Sequence, residues 1–187
     1  YNLHRANCFL TRSAFESLLL DLVSGKPFHI ILEGGEPLLH EHLVYFCQQL
    51  SSSGFNHSVI TNATLMTNTL AETFKSLQTN VIVSLDSPCH EINCNTRSKT
   101  IDALNGIECL LGKDVPVAIN TVVSRHNIDS CTEVIERFYP RIRRFSFLRL
   151  IARSHDDTTV QDLLLYSSEQ LQSLAAKLGE WKARHAD

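Results

Sequence analysis

Five short apolar runs, at 28–33, 57–61, 80–86, 115–123 and 143–151, recur along the chain, each followed by residues whose apolar positions keep a helical period. Strands that alternate with amphipathic helices build a parallel sheet through right-handed crossovers. The pattern predicts a helix over 41–53, with Leu43, Phe46, Cys47 and Leu50 on one face and Gly54 as its stop. It predicts others over 68–78 on Leu70, Phe74 and Leu77, over 99–112 on Ile101, Leu104, Ile107 and Leu111, and over 128–139. A last helix, 168–184, is built on Leu171, Leu174, Leu178 and Trp181. Pro116 suits the first residues of a strand. The fold class is therefore α/β, and doubly wound sheets and βα barrels both satisfy it.

The array opens on a helix. Thr11 and Ser13 precede Phe15, Leu18, Leu19 and Leu22, Ser13 and Glu16 have capping-box spacing, and Gly25 follows. A βα array normally opens on a strand, which the first helix needs as a packing partner. The expectation is a chain that begins just after a first strand. Its 187 residues suit a single domain, 1–187, with no linker or second unit.

Composition narrows the classes of partner. With 43% hydrophobic and 20% charged residues the chain reads as globular, and no apolar run approaches the roughly 20 residues of a membrane span. A net charge of −3 gives no electrostatic footprint for nucleic acid, and Arg141, Arg143 and Arg144 read as a solvated surface. No leader pattern is visible, so a cytoplasmic location is expected. Of six cysteines, Cys47, Cys109 and Cys131 fall in helical patterns and read as small core residues. Cys89 and Cys94 stand five apart, which is no standard metal spacing; reduced thiols fit better than disulfides.

In βα architectures the site lies at the carboxyl ends of the strands. Here those ends carry Gly34-Gly35-Glu36-Pro37, then Thr61 and Asn62, then Ser84, Asp86 and Ser87, then Asn120 and Thr121, then Arg149 leading to Arg153. Each has a plain alternative: Asn62 and Ser87 as turn residues, Asp86 as a turn cap, Asn120 as a partner of neighbouring backbone. Convergence on one cavity accounts for all of them together, since polar groups buried without partners are costly. The run 34–37 is the most informative. Two glycines permit positive φ and close approach of backbone to a ligand. Glycines at a strand-to-helix turn often cradle phosphate, but Glu36 would repel it. Carbonyls and a carboxylate instead suit a cation, such as the amine of an amino acid.

GGEPLL after a hydrophobic strand resembles the amine-binding motif of the radical S-adenosylmethionine enzymes. ITNATLM (60–66), with Ala63 where a glycine is usual, VSLDSPCHEINCNTRSKTIDALNGIECLL (83–111) and VPVAINTVVSRHNID (115–129) are similar to later segments of that family, in order. The likeness is nearest to the peptide- and protein-modifying subgroup that often carries SPASM-type auxiliary cluster domains. It implies a partial (β/α)6 TIM-type barrel, here with the first strand missing, and a [4Fe–4S] cluster on CxxxCxxC. There S-adenosylmethionine is cleaved to a 5′-deoxyadenosyl radical that abstracts hydrogen, chemistry that belongs to the cofactor. By resemblance, Gly34, Gly35 and Glu36, with Pro37, hold the methionine amine. Ser84 and Asp86 contact the ribose or the methionine carboxylate, and Arg97 pairs with that carboxylate. Asn120 contacts the ribose, Asn62 lines the same site, and Val122 or Leu148 lies near adenine. A reductant such as flavodoxin or ferredoxin and a peptide or small-molecule substrate are implied as partners.

The sequence departs from the family in lacking CxxxCxxC. A [4Fe–4S] cluster needs three or four thiolates, which Cys8 alone cannot supply. In the family the last of these cysteines stands about as far ahead of the glycine pair as Tyr1 does here, so the cluster ligands are expected upstream of Tyr1. Two other functions satisfy the residues: a cluster-free domain binding a nucleoside or peptide, and a Mg²⁺-dependent barrel lyase using Glu36 and Asp86.

Overall fold

The computed structural model describes residues 9–149 and 167–185. Helix α1 (Arg12–Gly25) precedes β1 (Ile30–Leu32), a 3-10 turn (Pro37–Leu39) and α2 (Leu43–Ser52). Next come β2 (His57–Thr61), α3 (Asn68–Ser76), β3 (Asn80–Ser84), the single turn α4 (His90–Asn93) and α5 (Thr100–Leu111). The series ends with β4 (Val117–Val123), α6 (Glu133–Phe138), β5 (Arg144–Arg149) and α7 (Ser168–Arg184). The five strands pair in parallel in the order β1-β2-β3-β4-β5. That order settles the choice periodicity left open. Every crossover steps one strand in the same direction, so right-handed connections put all the helices on one face. The result is a partial barrel wound one way.

The pleat sorts the side chains. Val59, Val81, Val83, Val117 and Ile119 face the helices and join Leu43, Cys47, Ala71, Phe74, Ala103, Ile107, Leu110, Val134 and Phe138 in the main core. Toward the carboxyl ends the alternate residues Ile60, Ile82, Ser84, Asn120, Val122, Ser146 and Leu148 line the open concave face and are not fully buried, whereas Ser58 and Ala118, nearer the amino ends, are buried. On β1 the concave-face residue is Ile31, which is 50% exposed.

The predicted elements are largely present, and the differences have physical causes. Helix α1 is capped by Thr11, whose hydroxyl accepts from Ala14 N at 3.2 Å; Glu16 is not a cap partner but pairs with Arg12 and Tyr45. Phe15 stacks on Phe46 with centroids 4.2 Å apart, which seats α1 on α2. On α5 the inward stripe is Ala103, Gly106, Ile107 and Leu110, while Ile101 is 66% exposed. The helix is turned so that Gly106 meets the loop after β2, and that rotation carries Ile101 outward. Helix α6 begins at Glu133 rather than 128, because Asn127 holds the preceding turn through side-chain bonds to Ser124 N and Val122 O. Tyr1, Cys8, Ile151 and Arg153 lie outside the described residues.

A buried imidazole makes β2 acid-sensitive. His57 Nδ1 donates to Phe55 O (3.1 Å), so Nε2 is the acceptor for Thr79 Oγ1 (2.9 Å). Burial, offset in part by the Phe55 bond, lowers the His57 pKa below its ordinary value. A group depressed in this way contributes its stability above its unfolded pKa of about 6.5 and loses it as pH falls. The urea midpoint should therefore drop between pH 7.5 and pH 5, and by less in H57Q than in the parent.

Candidate functional site

The carboxyl ends of the strands form one rim of the concave face. Glu36 caps the 3-10 turn there, with Pro37, half-buried, in its first position. Its Oε1 accepts from Leu38 N (3.1 Å) and Thr61 Oγ1 (2.5 Å), and its Oε2 accepts from Asn62 N (2.8 Å). One carboxylate thus ties the end of β1 to the end of β2. The sequence reading made Glu36 a direct partner of a cation. In the fold most of its acceptor capacity is used internally, and it holds the turn in shape.

Gly34 and Gly35 lead into that turn and are exposed. Neither adopts the positive φ expected of them. A Cβ at either position would meet no atom within 4 Å, and their backbone groups bond to no other described residue. The turn therefore presents bare backbone to open space. Asn62 behaves as a turn residue, its Oδ1 accepting from Thr64 N (2.9 Å) and Thr64 Oγ1 (2.8 Å). Ala63, in the usual glycine position, has φ 60°.

Asp86 repeats the device one strand pair along. It is 2% exposed. Its Oδ1 accepts from Val122 N (2.9 Å), and its Oδ2 accepts from Thr96 Oγ1 (2.7 Å) and Arg97 Nε (2.9 Å). Asn127 Nδ2 donates to the Asp86 carbonyl (3.0 Å), and Asn93 Oδ1 accepts from Asp86 N (3.1 Å). Both carboxylate oxygens face protein donors, so Asp86 does not reach the concave face as the sequence reading expected. Arg97 remains half-buried, and its outer nitrogens bond to no described residue.

Between these two clamps, Ser84 pairs in register with Asn120, and Asn120 with Ser146. The three make a row of short polar side chains across three strands of the concave face. Leu148 stands one pleat nearer the rim on β5 and is 43% exposed. Sequence reasoning passed over Ser146, Asn93, Thr96 and Asn127. Ser146 was legible as the polar residue alternating with Phe145 and Phe147, whereas the others gave no signal beyond being turn-forming types.

The described cysteines do not fit a cluster. Burial pushes the Cys47 thiol up to about 12 and the Cys131 thiol up to about 11, so neither is a thiolate near neutral pH. Cys89 and Cys94 flank α4, and no three metal-ligating side chains group together among the described residues.

No protein-family model matches the chain. An uncharacterized protein of Methanocaldococcus jannaschii is 30% identical over 160 residues, covering 79% of this chain and 54% of that protein. The AdoMet-dependent heme synthase of Methanosarcina barkeri is 33% identical over 116 residues, covering 60% of this chain and 33% of the synthase. The chain thus spans about half the length of the first curated relative and a third of the second. Among solved structures, Streptococcus suis SuiB bound to S-adenosylmethionine superposes with a TM-score of 0.82 over 97% of this chain and 43% of SuiB, at 14% identity. The enzyme anSMEcpe with bound AdoMet superposes with a TM-score of 0.74 over 96% of this chain and 53% of its own, at 16% identity. The chain has the fold of these S-adenosylmethionine-bound structures. In this fold the glycine turn, the polar row and Arg97 share the rim at the carboxyl ends of the strands.

Proposed function

We propose that the chain is the S-adenosylmethionine-binding core of a radical S-adenosylmethionine enzyme, and that the ligand lies along the concave face at the strand ends. The observation that carries this is the open turn at Gly34 and Gly35, held by Glu36 beside the in-register row Ser84–Asn120. Carbonyls of the turn would receive the methionine ammonium, Ser84 and Asn120 the ribose hydroxyls, Arg97 the carboxylate, and Val122 and Leu148 the adenine. When bound, S-adenosylmethionine would supply the chemistry of radical hydrogen abstraction, for which a [4Fe–4S] cluster would be the electron source. The cluster does not fit the described thiols, so the reading places its ligands outside the described residues.

SuiB has been solved with the precursor peptide SuiA and anSMEcpe with a cysteine-containing peptide, which supports a peptide or protein substrate. No helix among the described residues is long and apolar enough to cross a membrane. A cytoplasmic setting with a flavodoxin or ferredoxin as reductant completes the reading. A Mg²⁺-dependent lyase is a poorer fit: Glu36 and Asp86 each accept three hydrogen bonds from protein N–H and O–H groups, which leaves little of either carboxylate for a metal.

The test uses the intact protein, reconstituted with iron and sulfide without oxygen. Expected are a brown protein, saturable S-adenosylmethionine binding by calorimetry, and formation of 5′-deoxyadenosine with dithionite. A colourless, iron-free protein that still binds S-adenosylmethionine would make the domain a non-catalytic binder. Loss of binding as well would end the reading.

A further inference from the structure

We infer that Asp86 is a positioning residue, which aims Arg97 at the carboxylate of the bound ligand without touching that ligand itself. The inference rests on the S-adenosylmethionine reading above and deepens it.

The Asp86 side chain is 3% exposed and that of Arg97 is 27% exposed. A carboxylate offers about four acceptor sites. Three on Asp86 are taken, by Val122 N, Thr96 Oγ1 and Arg97 Nε, and burial closes off the rest. A ribose hydroxyl or a ligand ammonium has no free acceptor there. The pair is also made in an unusual way for this purpose. Arg97 donates through Nε alone, a side-on contact that uses one of its five N–H donors. The end-on fork of Nη1 and Nη2 bonds to no described residue. That fork matches a carboxylate in bidentate geometry.

The surroundings fix Asp86 from every side. Its own N–H and that of Ser87 go to Asn93 Oδ1, at 3.1 and 3.3 Å, and Asn93 Nδ2 donates to Thr100 Oγ1 at 3.0 Å. Its carbonyl takes Asn127 Nδ2, which also donates to Val122 O at 2.9 Å. The carboxylate cannot swing out to a ligand without breaking bonds to β4 and to the 93–97 segment. Its buried negative charge and the Arg97 cation compensate one another, and the Nε bond anchors the guanidinium so that it has less freedom to lose on binding.

The test is calorimetric binding of S-adenosylmethionine and of its decarboxylated analogue to the full-length protein. The parent should prefer the carboxylate-bearing ligand. In D86N and in R97Q, affinity for S-adenosylmethionine should fall roughly 10- to 100-fold, the worth of a charge-assisted contact. Affinity for the decarboxylated analogue should hold within about threefold, and D86N/R97Q should lose no more than R97Q alone. Should D86N fail to fold by circular dichroism, D86E, which keeps the charge and displaces it by one methylene, carries the same comparison. An Asp86 variant that keeps the parent's preference, or weakens both ligands alike, overturns the inference and leaves the binding site standing. A parent protein that binds neither ligand overturns the site reading itself.

Discussion

Gly106→Ala is expected to destabilise the domain by about 3 kcal/mol, the upper part of the range for overpacking a filled core. A Cβ at Gly106 would lie 2.1 Å from Ala63 O and 3.0 Å from Ala63 C. The obstacle is backbone, so no rotamer change relieves it. Nor can the loop retreat cheaply: Ala63 N donates to Thr61 Oγ1 at 3.0 Å, Ala63 O accepts from Met66 N at 3.1 Å, and Ala63 is fully buried. Helix α5 would have to lift away from β2, opening the core around Ile107 and Leu110. For a domain of this size the melting temperature should fall by roughly 10 °C, read by circular dichroism. A fall under about 2 °C would mean that α5 slides over the loop without cost. The same displacement would move Thr61 and Asn62, both of which hold Glu36, so G106A should also weaken S-adenosylmethionine binding.

Glu36→Gln tests the first clamp. Glutamine offers one acceptor oxygen and one NH₂ where glutamate offers two acceptors. Whichever way the amide turns, a donor faces either Asn62 N–H or the pair Leu38 N–H and Thr61 O–H. The expected loss is about 2 to 3 kcal/mol of stability, from half-buried donors left without partners. Once the turn is released, the Gly34 and Gly35 carbonyls lose their fixed direction, and S-adenosylmethionine affinity should fall more than about tenfold by calorimetry. T61V removes one of the three bonds to Glu36 and also the acceptor of Ala63 N, so its S-adenosylmethionine affinity should fall between those of E36Q and the parent while its stability falls for both reasons. An E36Q protein with parental affinity would mean that the turn keeps its shape unaided.

The two clamps explain how far the site could be read from the chain alone. Glu36 and Asp86 drew attention as carboxylates at strand ends, Arg97 through the family resemblance, and in the fold all three have partners. What spacing could not convey was which partner. Asp86 meets Val122 N across 36 positions and Glu36 meets Asn62 N across 26. Contacts of that separation depend on strand register, which is set by packing across the whole sheet. A direct ligand role and a clamping role therefore look alike in sequence, since both require an acid at the same place.

The fold divides along the same line. The succession of strands and helices and the faces of α2 and α7 follow from local periods of two and 3.6 residues, so the sequence by itself determined them. The winding of the sheet, the rotation of α5 about Gly106 and the engagement of both carboxylates were decided only by the tertiary structure. Each depends on which distant surfaces fill the same space, and close packing admits one such arrangement where local periodicity allows several.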